Sequence, residues 1–348
     1  MHFTQETFAV SAKSRNFALR NGVSPHDAAA NLHTHCMETI TSTHNARVKR
    51  ALLLQQKSSE RRRTGLFTVE GVRELQRCIE SGLQVEEVFL CTQLQPASAA
   101  VVAPLLSAGP HPTPFVCTVS PAVYGRLAYR GTTEGVMAVV RQRSLSLADI
   151  PMHGIPAPSP LSPPCARTGS GAARHGAAPL FVVLESVEKP GNIGAVLRSA
   201  DAAGATAVIV CDPLTDLCNP NLIRASTGAF FSVPTVACTT AECIAFLKGH
   251  GIAIVTAQLQ DSSPYYATDM RRPVAIVMGT EADGLTRTWR EAADEHIRIP
   301  MLGRCDSLNV SVSAAILLFE AVRQRLSHSK NFDSISTPSS SEMPLRRQ

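Results

Sequence analysis

Glycines and hydrogen-bonding side chains gather in three short stretches, residues 185–192 (ESVEKPGN), 279–284 (GTEADG) and 300–309 (PMLGRCDSLN). In the first, Gly191 and Gly194 bracket Asn192, so another backbone or a ligand can approach closely. Asn192 is placed to cap the helix that follows. Arg198 stands about a turn and a half further on, off the apolar stripe of Ile193, Val196 and Leu197. By spacing it is a surface charge, a structural anchor or a functional cation. Glu281 is a simple loop acid, a helix cap or a site residue. Ser307 or Asn309 can cap the last long helix by accepting from an orphaned backbone N–H. None of the three stretches matches the lysine-bearing phosphate loop, the dinucleotide fingerprint or a zinc spacing. A nucleotide-dependent dehydrogenase is therefore excluded. Side-chain chemistry alone reaches a ligand site built from three loops, beside a subunit interface.

The elements that must hold these loops follow an α/β alternation. LFVVLE, from Leu180, reads as a buried strand and IGAVLRSADAAGA as a helix. ATAVIV is the next strand, with helices over 219–229 and 241–249. Further strands cover 252–256, 274–278 and 297–299, and the last helix covers 310–326. The sheet is expected to be parallel, its loops on one rim, where ligands sit in open α/β sheets. The last helix is apolar nearly all round, from Val310 and Val312 to Phe319 and Val322, and needs a cover on both sides. The second cover is read as another copy of the chain.

The preceding half is a separate, smaller α/β pattern ending near Arg143. A helix is expected to bury Val48, Ala51, Leu52 and Leu53 and to carry Arg47, Lys49 and Arg50 outward. Arg61, Arg62 and Arg63 are assigned to a loop. Strands over 66–69, 85–90, 115–118 and 136–140 and a helix over 71–81 complete it. The arginine run is a solvated loop or an RNA contact, and the rest of the chain favours RNA. Residues 144–178 read as a linker, with six prolines between Pro151 and Pro164 acting as a stiff spacer. Residues 1–36 and 327–348 are expected to be disordered. The cluster His33, His35 and Cys36 offers metal ligands but no rigid scaffold, so no metal site is assigned.

The chain has 348 residues, 44% of them hydrophobic, and a formal net charge of +5. That permits a nucleic-acid partner without demanding one. No apolar run approaches the ~18 residues of a membrane span. Ten cysteines without a CxxC pair read as reduced, buried thiols of a cytoplasmic protein. Lys13, Arg15 and Arg20 would suit a transit peptide, but Glu6 and Asp27 count against one.

At KPGNIGAVLRSADAAGA (189–205), VMGTEADGL (277–285) and IPMLGRCDSLNVSVSAAILLFEA (299–321), the sequence closely resembles the SpoU (TrmH-like) family of RNA ribose 2′-O-methyltransferases. That family lies in the SPOUT superfamily. RASTGAFFSVP (224–234) is similar too, so the likeness covers essentially all of residues 180–326. ITSTHNARVKRAL, FTVEGVREL and GTTEGVMAVV resemble the accessory substrate-binding domain of family members. That likeness begins near Met37, which is read as the native start. The resemblance implies a C-terminal SPOUT domain with a parallel sheet and a deep trefoil knot, plus a small N-terminal α/β RNA-binding domain. It also implies a homodimer formed at the knot.

The implied reaction is transfer of a methyl group from S-adenosylmethionine to a ribose 2′-hydroxyl of structured RNA. Ribosomal RNA is favoured over transfer RNA; a non-catalytic RNA-binding or assembly factor of the same fold is the alternative. By carry-over, Arg198 is the main catalytic residue, with Asn192, Glu281, Ser307 and Asn309 fixing the loops and the ribose. The methyl donor is implied to lie against Gly279, Ile299, Met301 and Leu308. Arg47, Lys49, Arg50, Arg61, Arg62 and Arg63 are the expected phosphate contacts. The leaving thioether is neutral, so no acid need protonate it, and no metal is expected.

Overall fold

The computed structural model describes residues 36–107, 109–112, 114–129, 134–152, 178–280 and 283–328. His33, His35, Glu281 and the tail beyond 328 lie outside the described residues. Cys36 lies inside them, in a strand that begins ahead of the expected start at Met37.

The N-terminal unit is a five-stranded mixed sheet in the order β1-β4-β3-β5-β2. Its strands are β1 (Cys36–Ile40), β2 (Leu66–Glu70), β3 (Val85–Leu90), β4 (Phe115–Val119) and β5 (Val136–Arg141). Helices α1 (Ala46–Gln56), α2 (Ser58–Thr64), α3 (Val72–Glu80), α4 (Pro96–Ser107) and α5 (Pro121–Leu127) fill the connections. Two expectations fail here. α1 buries Val48, Ala51 and Leu54, while Leu53 is exposed, because it points about 140° round the helix from Val48. The arginine run forms α2 rather than a loop, closed by Gly65 at a φ of 65°. Helices α4 and α5 were not expected: α4 carries Pro104 inside it, and α5 is only seven residues long.

The C-terminal unit is a seven-stranded sheet in the order β10-β12-β9-β11-β6-β7-β8. All its pairings are parallel. Its strands are β6 (Leu180–Glu185), β7 (Ala207–Cys211), β8 (Thr235–Cys238), β9 (Ala253–Ala257), β10 (Ser263–Pro264), β11 (Val274–Met278) and β12 (Glu295–Arg298). Helices α6 (Pro190–Ala203), α7 (Pro220–Ser226), α8 (Ala229–Ser232), α9 (Thr240–Gly249), α10 (Arg287–Ala292) and α11 (Val310–His328) surround it. Every residue of β6 is buried, as a strand covered on both faces requires. Leu180, Val182 and Leu184 face α6 and α11, whereas Phe181 and Val183 face α9 and α10. The single helix expected over 219–229 is two, broken by Thr227 and Gly228, both at positive φ. α11 runs two residues past its expected end.

The segment read as a linker behaves differently over its first part. Leu145, Leu147, Ile150 and Met152 pack in the cluster formed by Phe181 and Ile209 of the sheet and Trp289 of α10. Nor are the two units merely tethered. Phe67 of β2 stacks on Phe231 at 6.4 Å and meets Phe230 edge-on at 6.5 Å. One hydrophobic cluster runs from Leu75 and Val102 through this contact to α6 and α11. Periodicity could not reveal the docking, because each half supplies only one side of it.

Candidate functional site

All strands of the second sheet being parallel, the loops after β6, β11 and β12 open on the same rim. Glu185, the last residue of β6, is buried. Its carboxylate accepts from Thr286 N (2.8 Å) and Thr286 Oγ1 (2.7 Å), which ties the first loop to the second. Ser186 continues at a φ of 51°. α6 then starts at Pro190, with Lys189 at its N-cap, so Asn192 lies inside the first turn and is not the cap expected of it. Its side chain turns to the third loop instead, where Asn192 Oδ1 accepts from Asn309 Nδ2 at 3.2 Å. Asn309, not Ser307, caps α11, its Oδ1 accepting from Ser311 N at 3.0 Å and Ser311 Oγ at 2.6 Å.

The glycines of these loops have separate reasons. A Cβ on Gly194 would stand 2.6 Å from the Cβ of Ala225 and 2.7 Å from Leu222 O, so α6 and α7 cross at that point. A Cβ on Gly279 would stand 2.1 Å from Gly284 O, because the second loop folds back on itself. Thr280 and Gly284 exchange both backbone bonds at 3.2 Å. The space beside Gly191 is open.

Gly279, Ile299, Met301 and Leu308 are half-buried. Gly279 follows β11 and Ile299 follows β12, with β9 between them. Two strand spacings, about 9.6 Å, separate the two chain segments. Gln258, directly after β9, sits in that gap, and its backbone N donates to Ile297 O at 2.9 Å. Its Oε1 is buried with no hydrogen-bond partner among the described residues. An orphaned acceptor there fits a ligand carrying an amino or hydroxyl donor, since leaving it unmet costs on the order of 1–3 kcal/mol.

Arg198 is exposed on α6 and makes no ion pair among the described residues. It lines a surface cavity of about 190 Å³ with Arg77, Asp201, Ser226, Thr227, Gly228, Ala229 and Ser232. Asp201 is engaged, its Oδ1 accepting from Ser232 Oγ at 2.6 Å. Arg77 reaches this cavity from α3 of the N-terminal unit and packs on Gly228. Sequence reasoning missed both Arg77 and Gln258. No local pattern marks either; docking of the units places one, and the strand order the other.

The six basic residues read as phosphate contacts divide sharply. Arg61 is 2% exposed, donates to Leu54 O (2.6 Å) and Gln55 O (3.1 Å), and pairs with Asp216 across the domain junction. It is a structural tie, not a surface contact. Arg47 lies over the Phe115 ring at 3.9 Å and pairs with Glu87 and Glu38. Arg50 pairs with Glu86, and Arg63 with Glu60. Lys49 and Arg62 are exposed and unpaired among the described residues.

Comparison with known proteins gives matches to both halves. Residues 179–319 match the family model of the SpoU rRNA methylase family, and residues 45–138 that of the MRM3-like substrate binding domain. The 23S rRNA (guanosine-2′-O-)-methyltransferase RlmB of Xanthomonas axonopodis pv. citri is 43% identical over 148 residues, 42% of this chain and 59% of that protein. The Vibrio vulnificus protein of the same name is 44% identical over 155 residues, 44% of this chain and 62% of its own length. The chain thus spans about three-fifths of the length of the curated relatives it matches. A solved RNA 2′-O ribose methyltransferase superposes with a TM-score of 0.65 at 37% identity, over 83% of this chain and 99% of the other. AviRb of Streptomyces viridochromogenes, a SpoU methyltransferase solved with AdoMet, superposes with a TM-score of 0.68 at 28% identity, over 82% and 99%.

Proposed function

The chain belongs to the SpoU rRNA methylase family, and on that footing we propose that it transfers the methyl group of S-adenosylmethionine to a ribose 2′-hydroxyl of ribosomal RNA. One observation carries the reading: Asn192 meets Asn309, and Glu185 meets Thr286, so the three family loops converge on one rim. S-adenosylmethionine supplies an electrophilic methyl group on a sulfonium whose departing thioether is neutral. Backbone groups of Gly279, Ile299, Met301 and Leu308 would hold the donor, and Gln258 Oε1 would accept from a donor group on it.

The 2′-hydroxyl is a weak nucleophile and must be oriented in line. Arg198 seats a substrate phosphate, with Arg77 facing it across the shared cavity. A guanidinium hardly deprotonates in a protein, so Arg198 orients the ribose and stabilises the developing alkoxide rather than acting as base. Glu281 and Ser307 steady the second and third loops. Lys49 and Arg62 remain as phosphate contacts of the N-terminal unit.

A homodimer and the trefoil knot go with this reading. Val312 and Phe319 are about half exposed on α11, and the half-buried Ile316 lies between them, a stripe at i, i+4 and i+7 that is only partly covered by the described residues. Among the described residues no helix is long and apolar enough to cross a membrane. A cytoplasmic location, where ribosomal RNA is at hand, accords with the substrate.

The test is incubation of the purified protein with labelled methyl donor and total RNA, followed by mapping of the modified ribose. A single 2′-O-methyl group in ribosomal RNA is expected, with activity about 10²–10³-fold lower in Arg198→Ala, the range for loss of one transition-state donor. Equal activity of that variant would remove Arg198 from the mechanism, and methylation of transfer RNA alone would overturn the substrate.

A further inference from the structure

Cys211 and the sequence neighbours Cys238 and Cys243 meet at the edge of the second sheet. Cys211 ends β7, Cys238 ends β8, and Cys243 lies in the first turns of α9. Their Sγ atoms all lie within 4.8 Å of one another; two of the side chains are buried and that of Cys238 is half-buried. The triangle is rigidly held. Parallel pairing sets Cys211 opposite Cys238. A reciprocal capping box between Thr239 and Glu242 fixes the start of α9 one residue later. Trp289 Nε1 donates to Thr240 Oγ1 at 3.2 Å, packing α10 against that same turn.

We propose that Cys211, Cys238 and Cys243 form a structural binding site for a soft divalent ion of the zinc class. Zinc–thiolate bonds of about 2.3 Å in a tetrahedron need sulfur atoms about 3.8 Å apart, a short contraction of the triangle seen. Three thiolates leave a fourth position, and the partial exposure of Cys238 opens it to water. Neither nearby carboxylate competes for it. Asp212 Oδ2 accepts from Thr240 N at 3.2 Å, and Glu242 is held by Thr239. A disulfide fits less well. Directly opposed residues on parallel strands point the same way with Cβ atoms about 4.8 Å apart, beyond the ~3.5–4.5 Å a disulfide spans. On binding, the three thiol protons pass to solvent and no electron moves. The site lies on the sheet face of Phe181 and Ile209, opposite α6 and Arg198, so its role is to clamp β7, β8 and α9 rather than to take part in chemistry.

The experiment uses the full chain purified without chelator. Elemental analysis should find about one zinc per chain, and cobalt exchanged into the protein should show a thiolate-to-cobalt charge-transfer band. Both should vanish in Cys238→Ser and persist in Cys305→Ser, whose cysteine is exposed on the third loop away from the cluster. Should Cys238→Ser fail to fold, alkylation of the unaltered protein decides: three additional thiols should react once a strong chelator is added. The proposal is overturned by a protein that takes up no zinc on reconstitution, by undiminished metal in folded Cys238→Ser, by unchanged alkylation after chelation, or by a Cys211–Cys238 disulfide in peptide mapping.

Discussion

Replacement of Arg61 by alanine separates two roles that its place in the run Arg61-Arg62-Arg63 confuses. The guanidinium is almost wholly buried, its side chain 3% exposed, and its partner Asp216 is 16% exposed. Removing one member of a buried pair costs about 3–5 kcal/mol, because the remaining charge is left without compensation. The residual exposure of Asp216 lets water recover part of this, which brings the expected loss to about 3 kcal/mol. At ~2–4 °C per kcal/mol for a domain of this size, the melting temperature should fall by about 6–12 °C. Arg62→Ala, at an exposed position one residue on, should stay within about 0.5 kcal/mol of the parent protein. RNA titrations across a salt series should give the reverse order. The slope should drop by about one for Arg62→Ala and stay unchanged for folded Arg61→Ala. The double variant Arg61→Ala/Asp216→Ala should lose less than the two single losses added together, since the residues form one unit. An Arg61→Ala protein that melts with the parent and shows the reduced salt slope would refute the reasoning and restore Arg61 to the RNA surface.

Gly279→Ala forces a Cβ into the carbonyl of Gly284, so the second loop must open; affinity for S-adenosylmethionine should fall at least about tenfold by calorimetry, equivalent to ~1.4 kcal/mol, and unchanged affinity would dissociate the loop from the donor site. Phe231→Ala removes the ring stacked on Phe67 and should cost about 3 kcal/mol by denaturant unfolding, the range for a buried phenylalanine; a loss under about 1 kcal/mol would mean the two units are not docked in solution. Asn309→Ala deletes the cap of α11, worth about 1 kcal/mol, and should also lower turnover, because Asn192 loses its partner. Burial holds the Glu70 carboxyl above the usual carboxylate range. The folded chain therefore binds that proton more tightly than the unfolded one, and the associated stability is present at low pH and lost as pH rises through the folded value. Glu70→Gln should gain on the parent in melting temperature as pH rises above ~4, and parallel curves would count against a desolvated carboxyl.

Much of the architecture was legible because hydrophobic period and loop chemistry are local properties. LFVVLE could only be a doubly covered strand, and the polar loops at 185–192, 279–284 and 300–309 announced their position after strands. The family phrases in the same residues then carried fold and reaction class together. Tertiary structure decided what depends on neighbours distant in sequence. Arg61 and Arg62 are alike in type and adjacent, yet the first turns into the junction toward Asp216, 155 residues away, while the second stays in solvent. Asn192 reads as a cap until Pro190 is seen to start α6 one turn early. Arg77 joins Arg198 only because Phe67 docks on Phe231, and Cys211 joins the C-x4-C pair Cys238 and Cys243 only because β7 and β8 pair in register. Sequence fixes which faces of an element must be buried; it does not say against what, because that choice rests on contacts between segments whose patterns are each satisfied by many partners.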